Sequence, residues 1–383
     1  MQKIGLYIHW PYCTRICPYC DFNIYKNKPD MEQNLISAIL ADMKYWRGQS
    51  GPRRLASIHF GGGTPSLMHP ENVQIIIERA KNLWATDSDL EVGMEANPND
   101  ISKSILKAWR GAGVERVSIG VQSFSDKALN FLGRDHDKKQ AKAALYEAAQ
   151  IMPRVSADLI YGWVGQDIAI WDKDLRQTLG LGVGHISAYQ LTIEARTAFA
   201  KAQARGEGRV VDTDTSADLY EHGLQVIKQC GFSQYEVSNY AKTKTDRSRH
   251  NLLYWQGEDY IGVGPGAHGR LTSNMRRKAN ICTKRPNDYR EHVEKYGHGS
   301  HEIENLSRSD WAQEYVLMGL RINEGISLAR YIEISGHALN PQAIKHYVST
   351  GLLAVKQGRL FATDHGRLVL DSLSHELLFL EYV

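Results

Sequence analysis

Six short runs rich in β-branched and aromatic residues, each followed by a polar turn and an amphipathic stretch, dominate the first half of this chain. The runs cover 6–10, 57–60, 90–95, 116–121, 155–160 and 186–192. Helical periodicity fills 31–47, 70–84, 101–112, 138–150 and 168–179 between them; in the first, Leu35, Ile36, Ile39, Leu40 and Met43 make one apolar stripe. Strands that alternate with helices pair in parallel, because the crossover helix brings the chain back to start each strand at the same end. The expectation is an α/β fold, either an open doubly wound sheet or a partial barrel.

Residues at the strand ends choose between them, since the carboxyl ends of parallel strands face the site. The first run leads into a cysteine cluster, the second into Gly61-Gly62-Gly63-Thr64-Pro65, and the third into Glu95-Ala96-Asn97-Pro98. The fourth ends at Gln122-Ser123, the fifth bears Asp158, and the sixth bears Tyr189-Gln190. A ring of six contributions is easier to build on a curved sheet, which favours a partial (β/α)6 TIM-like barrel over about 1–210. A helix at 213–229, a strand at 235–240 and a Gly- and aromatic-rich passage at 250–269 suggest a barrel extension over 211–300. The tail reads helix, strand, strand, helix at 343–349, 352–355, 360–362 and 367–373, a helical, winged-helix-like unit over 301–383.

The net charge of 46 − 43 = +3 gives no electrostatic pull toward nucleic acid, and the tail offers no arginine row for reading DNA. No run approaches the roughly 20 apolar residues of a spanning helix, and the start lacks the marks of a signal peptide. A cytoplasmic location is expected, where thiols stay reduced.

Cys13, Cys17 and Cys20 place three thiols within eight residues on a loop. Such a loop can ligate three irons of a cubane cluster and leave the fourth iron to an exchangeable ligand, for which the amino and carboxylate groups of S-adenosylmethionine (SAM) would serve. Zinc is the alternative, but structural zinc takes four ligands, usually as two separated pairs, and no second pair exists. Cys230 and Cys282 are solitary and read as small buried residues. The glycine run suits close approach of a ligand to backbone N–H groups; its bland alternative is a tight turn. Glu95, Gln122, Arg134 and Asp158 offer donors and acceptors suited to an amino acid, a ribose and an adenine.

The segment Tyr7-Ile8-His9-Trp10-Pro11-Tyr12-Cys13 through Cys20-Asp21-Phe22, with the glycine motif, resembles the radical SAM family related to oxygen-independent coproporphyrinogen oxidase. Within it, the chain is most similar to HemW-type heme chaperones. Tyr235-Glu236-Val237-Ser238-Asn239-Tyr240, His250-Asn251-Leu252-Leu253-Tyr254-Trp255 and Gly262-Val263-Gly264-Pro265-Gly266-Ala267-His268-Gly269 extend the likeness over nearly the whole chain. The resemblance implies a [4Fe-4S] cluster on Cys13, Cys17 and Cys20. It implies SAM contacts at Tyr7, Gly62, Gly63, Thr64, Glu95, Gln122, Arg134 and Asp158. One departure is Trp163-Val164, where family members often carry Leu-Pro, which bears on the local loop shape.

Two activities follow from the resemblance. An oxidase would use SAM to oxidise porphyrinogen propionates. Similar oxidases carry a further cysteine where this chain has Phe22, and an N-terminal extension where it has 12 residues before Cys13. A chaperone would bind heme and hand it to an acceptor protein, for instance a respiratory one, with transient membrane contact and cluster-responsive dimerisation both compatible with that role. His250 is then the candidate axial ligand, with Tyr254 and Trp255 on the porphyrin face; its alternative is a hydrogen-bonded loop histidine. His268 reads as structural. Radical SAM methyl transfer is a third alternative.

Overall fold

A computed structural model describes residues 1–26 and 31–379; residues 27–30 of the expected core and 380–383 of the expected terminal unit lie outside the described residues. The six strands are present as β1 (Lys3–Trp10), β2 (Arg54–Gly62), β3 (Ala85–Ala96), β4 (Arg116–Gln122), β5 (Arg154–Tyr161) and β6 (His185–Gln190). They pair in parallel in chain order. The helices Glu32–Ser50, Pro70–Leu83, Lys103–Ala112, Lys138–Ile151 and Ile168–Leu179 connect them. Strand periodicity explains the layering. Ile4, Leu6, Ile8 and Trp10 join the same buried cluster as Leu35, Ile39, Met43 and Trp46 of the first helix, while Tyr7 and His9 point to the opposite face. Helix starts are fixed by side-chain caps: Ser102 accepts from the Ile105 N–H, and Asp137 and Gln140 form a capping box.

The sheet is larger than the sequence pattern suggests. Asp259–Val263 pairs in parallel with the outer edge of β1, and His268–Ser273, Arg276–Cys282 and Ser300–Asn305 continue antiparallel. With two short strands beyond β6, the sheet has twelve strands. Glycines hide the strand at 259–263, and their reason is packing across the sheet. Gly264 has φ +101°, and a Cβ there would lie 2.3 Å from the His9 carbonyl oxygen. That neighbour is more than two hundred residues away in the chain.

The expected strand at 235–240 is folded in two, Ser233–Glu236 and Asn239–Ala241. The buried Glu236 carboxylate accepts from the Ser238 N–H (3.0 Å) and from Asn239 Nδ2 (2.6 Å), which turns the chain back on itself. Its other oxygen lies 2.6 Å from Arg321 Nη2, and Asn323 Nδ2 donates to the Gln234 carbonyl at 2.7 Å. This turn therefore fastens the terminal unit to the barrel. That unit contains the helices Arg308–Gly319, Leu328–Ser335 and Pro341–Ser349, then the hairpin Leu353–Lys356 and Arg359–Ala362. It buries its own core around Trp311, Val316, Leu320, Ile334 and Leu360. Among the described residues, no helix is long and apolar enough to cross a membrane. Cys282 is buried as expected, whereas Cys230 is exposed at the end of the helix Thr213–Gln229.

Removing one partner from a buried pair strands the other charge. Arg321→Met should lower the unfolding free energy by about 3 kcal/mol in a urea titration. Adding Glu236→Gln to that variant should recover part of the loss.

Candidate cluster and cofactor site

Beyond β1 a two-residue strand, Tyr12–Cys13, pairs in parallel with Tyr25–Lys26, and the loop between them completes a set of three thiols, Cys13 buried, Cys17 and Cys20 half-buried. Thr64 Oγ1 donates to Cys13 Sγ at 3.2 Å, and Arg134 Nη1 donates to Cys17 Sγ at 3.5 Å. The Cys20 N–H closes a turn on the Cys17 carbonyl at 3.2 Å. Donors aimed at sulfur favour thiolates. Burial raises the Cys13 thiol and pushes Cys20 up to about 11, so ligation has to displace protons. Among the described residues, no three His, Cys, Asp or Glu side chains are grouped to hold a metal ion. Zinc needs four donors on one point. A cubane instead offers each thiolate its own iron, so the trio fits a cluster with one iron uncovered.

The thiols open on a cavity of about 380 Å³, within the range of small-molecule sites. Gly62, Gly63, Thr64, Glu95, Gln122, Arg134 and Asp158 line it with the three cysteines, so ten of the twelve expected site residues meet there. Glu95 is held from two sides, by the Gly62 N–H (3.2 Å) and by His59 Nε2 (3.2 Å). Asp158 accepts from Ser118 Oγ at 3.0 Å, and burial raises its carboxyl above the ordinary value. Arg134 is pinned by Asn97 Oδ1 (2.6 Å) and the Gly120 carbonyl (3.1 Å), which keeps its other nitrogen on Cys17.

Gln122 sits at φ +66°, a left-handed conformation that a side chain adopts only under constraint. The constraint is the next two residues. Ser123 Oγ and the Phe124 N–H both donate to the buried Asp174 carboxylate, at 2.5 and 2.9 Å. Asp174 lies on the helix behind the sheet and so aims Gln122 into the cavity from a distance.

Three expectations change. The glycine run does not present free N–H groups: Gly62 donates to Glu95, Gly63 to the Trp10 carbonyl (2.6 Å) and Thr64 to the Tyr12 carbonyl (2.9 Å). Its glycines are required by close approach: a Cβ on Gly62, at φ +106°, would lie 2.6 Å from the His9 ring of β1, and one on Gly63 would lie 2.7 Å from the Tyr12 carbonyl oxygen of the cysteine loop. Tyr7 does not line this cavity. It faces a second one of about 470 Å³, and its hydroxyl meets His9 Nδ1 at 3.1 Å. His250 lines neither cavity. It is buried on the helix Arg249–Trp255, with Nδ1 2.7 Å from Ser57 Oγ and Nε2 2.5 Å from the Tyr254 hydroxyl. Both ring nitrogens are thus hydrogen-bonded within the protein, and neither is free to meet an iron in this structure.

Sequence reasoning left out Asn97 and Asp135, which also line the first cavity. Asn97 bridges Arg134 and Asp135, donating to Asp135 Oδ1 at 3.0 Å. The signal was present, because both sit beside residues already singled out.

Two measurements check the site. Cys17→Ala should abolish the charge-transfer absorbance of anaerobically reconstituted protein; a variant that keeps the band refutes the ligand set, and unsubstituted protein that holds zinc and no sulfide refutes the cluster. Burial lifts Asp174 to about 6, above the ordinary carboxyl value of about 4. Between those values the folded chain binds more protons than the unfolded one, so stability falls as pH rises through that window. Asp174→Asn should remove this slope from urea unfolding of the apoprotein.

Comparison with known proteins agrees with this geometry. The Radical SAM superfamily profile matches residues 7–178, and the HemN C-terminal domain profile matches 306–369. The mitochondrial radical S-adenosyl methionine domain-containing protein 1 of Bos taurus is 37% identical over 98% of this chain and 88% of its own length. The heme chaperone HemW of Haemophilus influenzae is 33% identical over 97% of both chains, and that of Escherichia coli 34% over 97% of both. The structure of coproporphyrinogen III oxidase (HemN) from Escherichia coli superposes with a TM-score of 0.81 at 19% identity, covering 99% of this chain and 90% of that one; this likeness is one of fold. With three thiols on the loop after β1, a cavity at the strand ends lined by Glu95, Gln122, Arg134 and Asp158, and near end-to-end identity above 30%, the chain belongs to the radical SAM family, in its HemW-related branch.

Proposed function

We propose that this protein is a heme chaperone: it carries a [4Fe-4S] cluster on Cys13, Cys17 and Cys20, binds SAM beside it, and transfers heme to an acceptor protein. The observation that carries this reading is the cavity in which three thiols face Glu95, Gln122, Arg134 and Asp158, in a chain alike over nearly its whole length to proteins called heme chaperones. Held by the three thiolates, a cluster would supply a Lewis-acidic iron that the protein leaves uncovered. The protein does the rest. Arg134, fixed by Asn97, keeps positive charge against Cys17. Glu95 and Asp158, each already oriented by neighbours, offer acceptor lone pairs to ammonium or hydroxyl groups. Gln122 brings a neutral amide that can both donate and accept.

The oxidase reading shares the cavity but not the residue after it. Phe22 is 60% exposed and lines both the first and the second cavity; similar oxidases have a cysteine at that position. An apolar ring there favours holding a flat ligand over redox chemistry.

Heme titration of the reconstituted protein should give a saturable Soret change; its absence removes the chaperone reading. Incubation with coproporphyrinogen, SAM and a reductant should leave the porphyrinogen intact. Accumulation of protoporphyrinogen would place the protein among the oxidases.

A further inference from the structure

We infer that the second cavity is where heme is held, and that His268 is the side chain that ligates its iron. The inference rests on the heme-binding reading above and adds the place and the ligand.

The cavity, about 470 Å³, lies between the strands added outside β1 and the helix Arg308–Gly319 of the terminal unit. Tyr254, Trp255 and Tyr260 wall it from the barrel, Trp311 and Tyr315 from the helix. Tyr254 and Tyr260 meet edge to face, with centroids 4.5 Å apart at 73°. Such a box suits a large flat π system. The indole N–H groups of Trp255 and Trp311 are buried without an acceptor among the described residues. Buried donors without partners are rare in folded proteins, and a ligand carboxylate would satisfy them. Lys284 lines the same cavity and makes no ion pair among the described residues, whereas Arg270 and Arg277 are paired with Glu314 and Asp259. A propionate has a free cation to meet in Lys284.

Three histidines lie at or beside this cavity, and they differ in what their nitrogens do. His250 is engaged at both, as is His9, whose Nδ1 meets the Tyr7 hydroxyl (3.1 Å) and whose Nε2 meets the Asn23 carbonyl (3.0 Å). His268 is exposed and lines the cavity, and among the described residues neither ring nitrogen has a hydrogen-bond partner. Its backbone is fixed in the sheet opposite Ile281. Partial burial, then the charges of Arg270 and Lys284, lower its pKa, so the ring is neutral and keeps a lone pair for a metal. The same region is tied to the cysteine loop. Asn23 Nδ2 donates to the carbonyls of Pro265 (2.9 Å) and Lys284 (2.8 Å), which flank the turn before His268 and the chain after Cys282.

The test uses full-length, anaerobically reconstituted protein titrated with heme, read by the Soret band and by the spin state in electron paramagnetic resonance of the ferric form. His268→Ala should keep its cluster content, bind heme on the order of tenfold more weakly, and change spin state, with added imidazole restoring the wild-type spectrum. Lys284→Ala should weaken binding without changing the spectrum, because it meets a propionate and not the iron. A His268→Ala protein that binds heme with wild-type affinity and spectrum overturns the assignment while leaving the chaperone reading intact. Wild-type protein that fails to saturate with heme overturns both.

Discussion

The contact on which the rest depends is the one between the glycine run that ends β2 and the cysteine loop that follows β1. A loop carrying three ligands has too few backbone hydrogen bonds of its own to keep a shape. It receives them from Gly63 and Thr64, whose N–H groups reach the carbonyls of Trp10 and Tyr12. Glu95 at the end of β3 closes the arrangement by accepting from Gly62. The parallel sheet is thus more than a support. By placing the ends of adjacent strands side by side, it brings together three loops that stabilise one another, and the thiols point where those loops leave room.

The parts of this design that obey local rules were legible in the sequence. The six strands and their helices follow from periodicity alone, since each buries one face against its neighbours. Ten site residues meet in one cavity because strand ends converge in any curved parallel sheet. What stayed hidden depends on contacts far apart in the chain. The strand at 259–263 is masked by glycines that make room for backbone, Gly262 for His268 and Gly264 for His9 of β1, and no local rule distinguishes such a glycine from one in a turn. His250 shows the same limit from the other side. Its motif advertises an available imidazole, but Ser57, nearly two hundred residues away, takes one nitrogen and Tyr254 takes the other.

The motif at 235–240 carries a related lesson. It reads as one strand in the sequence, and in the structure its polar side chains are spent on contacts within the protein. Glu236 gathers two donors from its own turn and one guanidinium from the terminal unit. A buried carboxylate that answers to two parts of the molecule makes their separation costly, so the helix Arg308–Gly319 is held against the helix Arg249–Trp255 instead of hanging from a linker. That placement is what encloses the second cavity.

Phe22 and Asp21 border both chambers, and a partition shared by two rooms has a thermodynamic corollary. A rotation of the ring that widens one side narrows the other. If filling the first chamber moves the ring, filling the second must feel that movement to the same degree, because linkage between two binding events is symmetric. Coupling of that kind would require no contact between the two occupants.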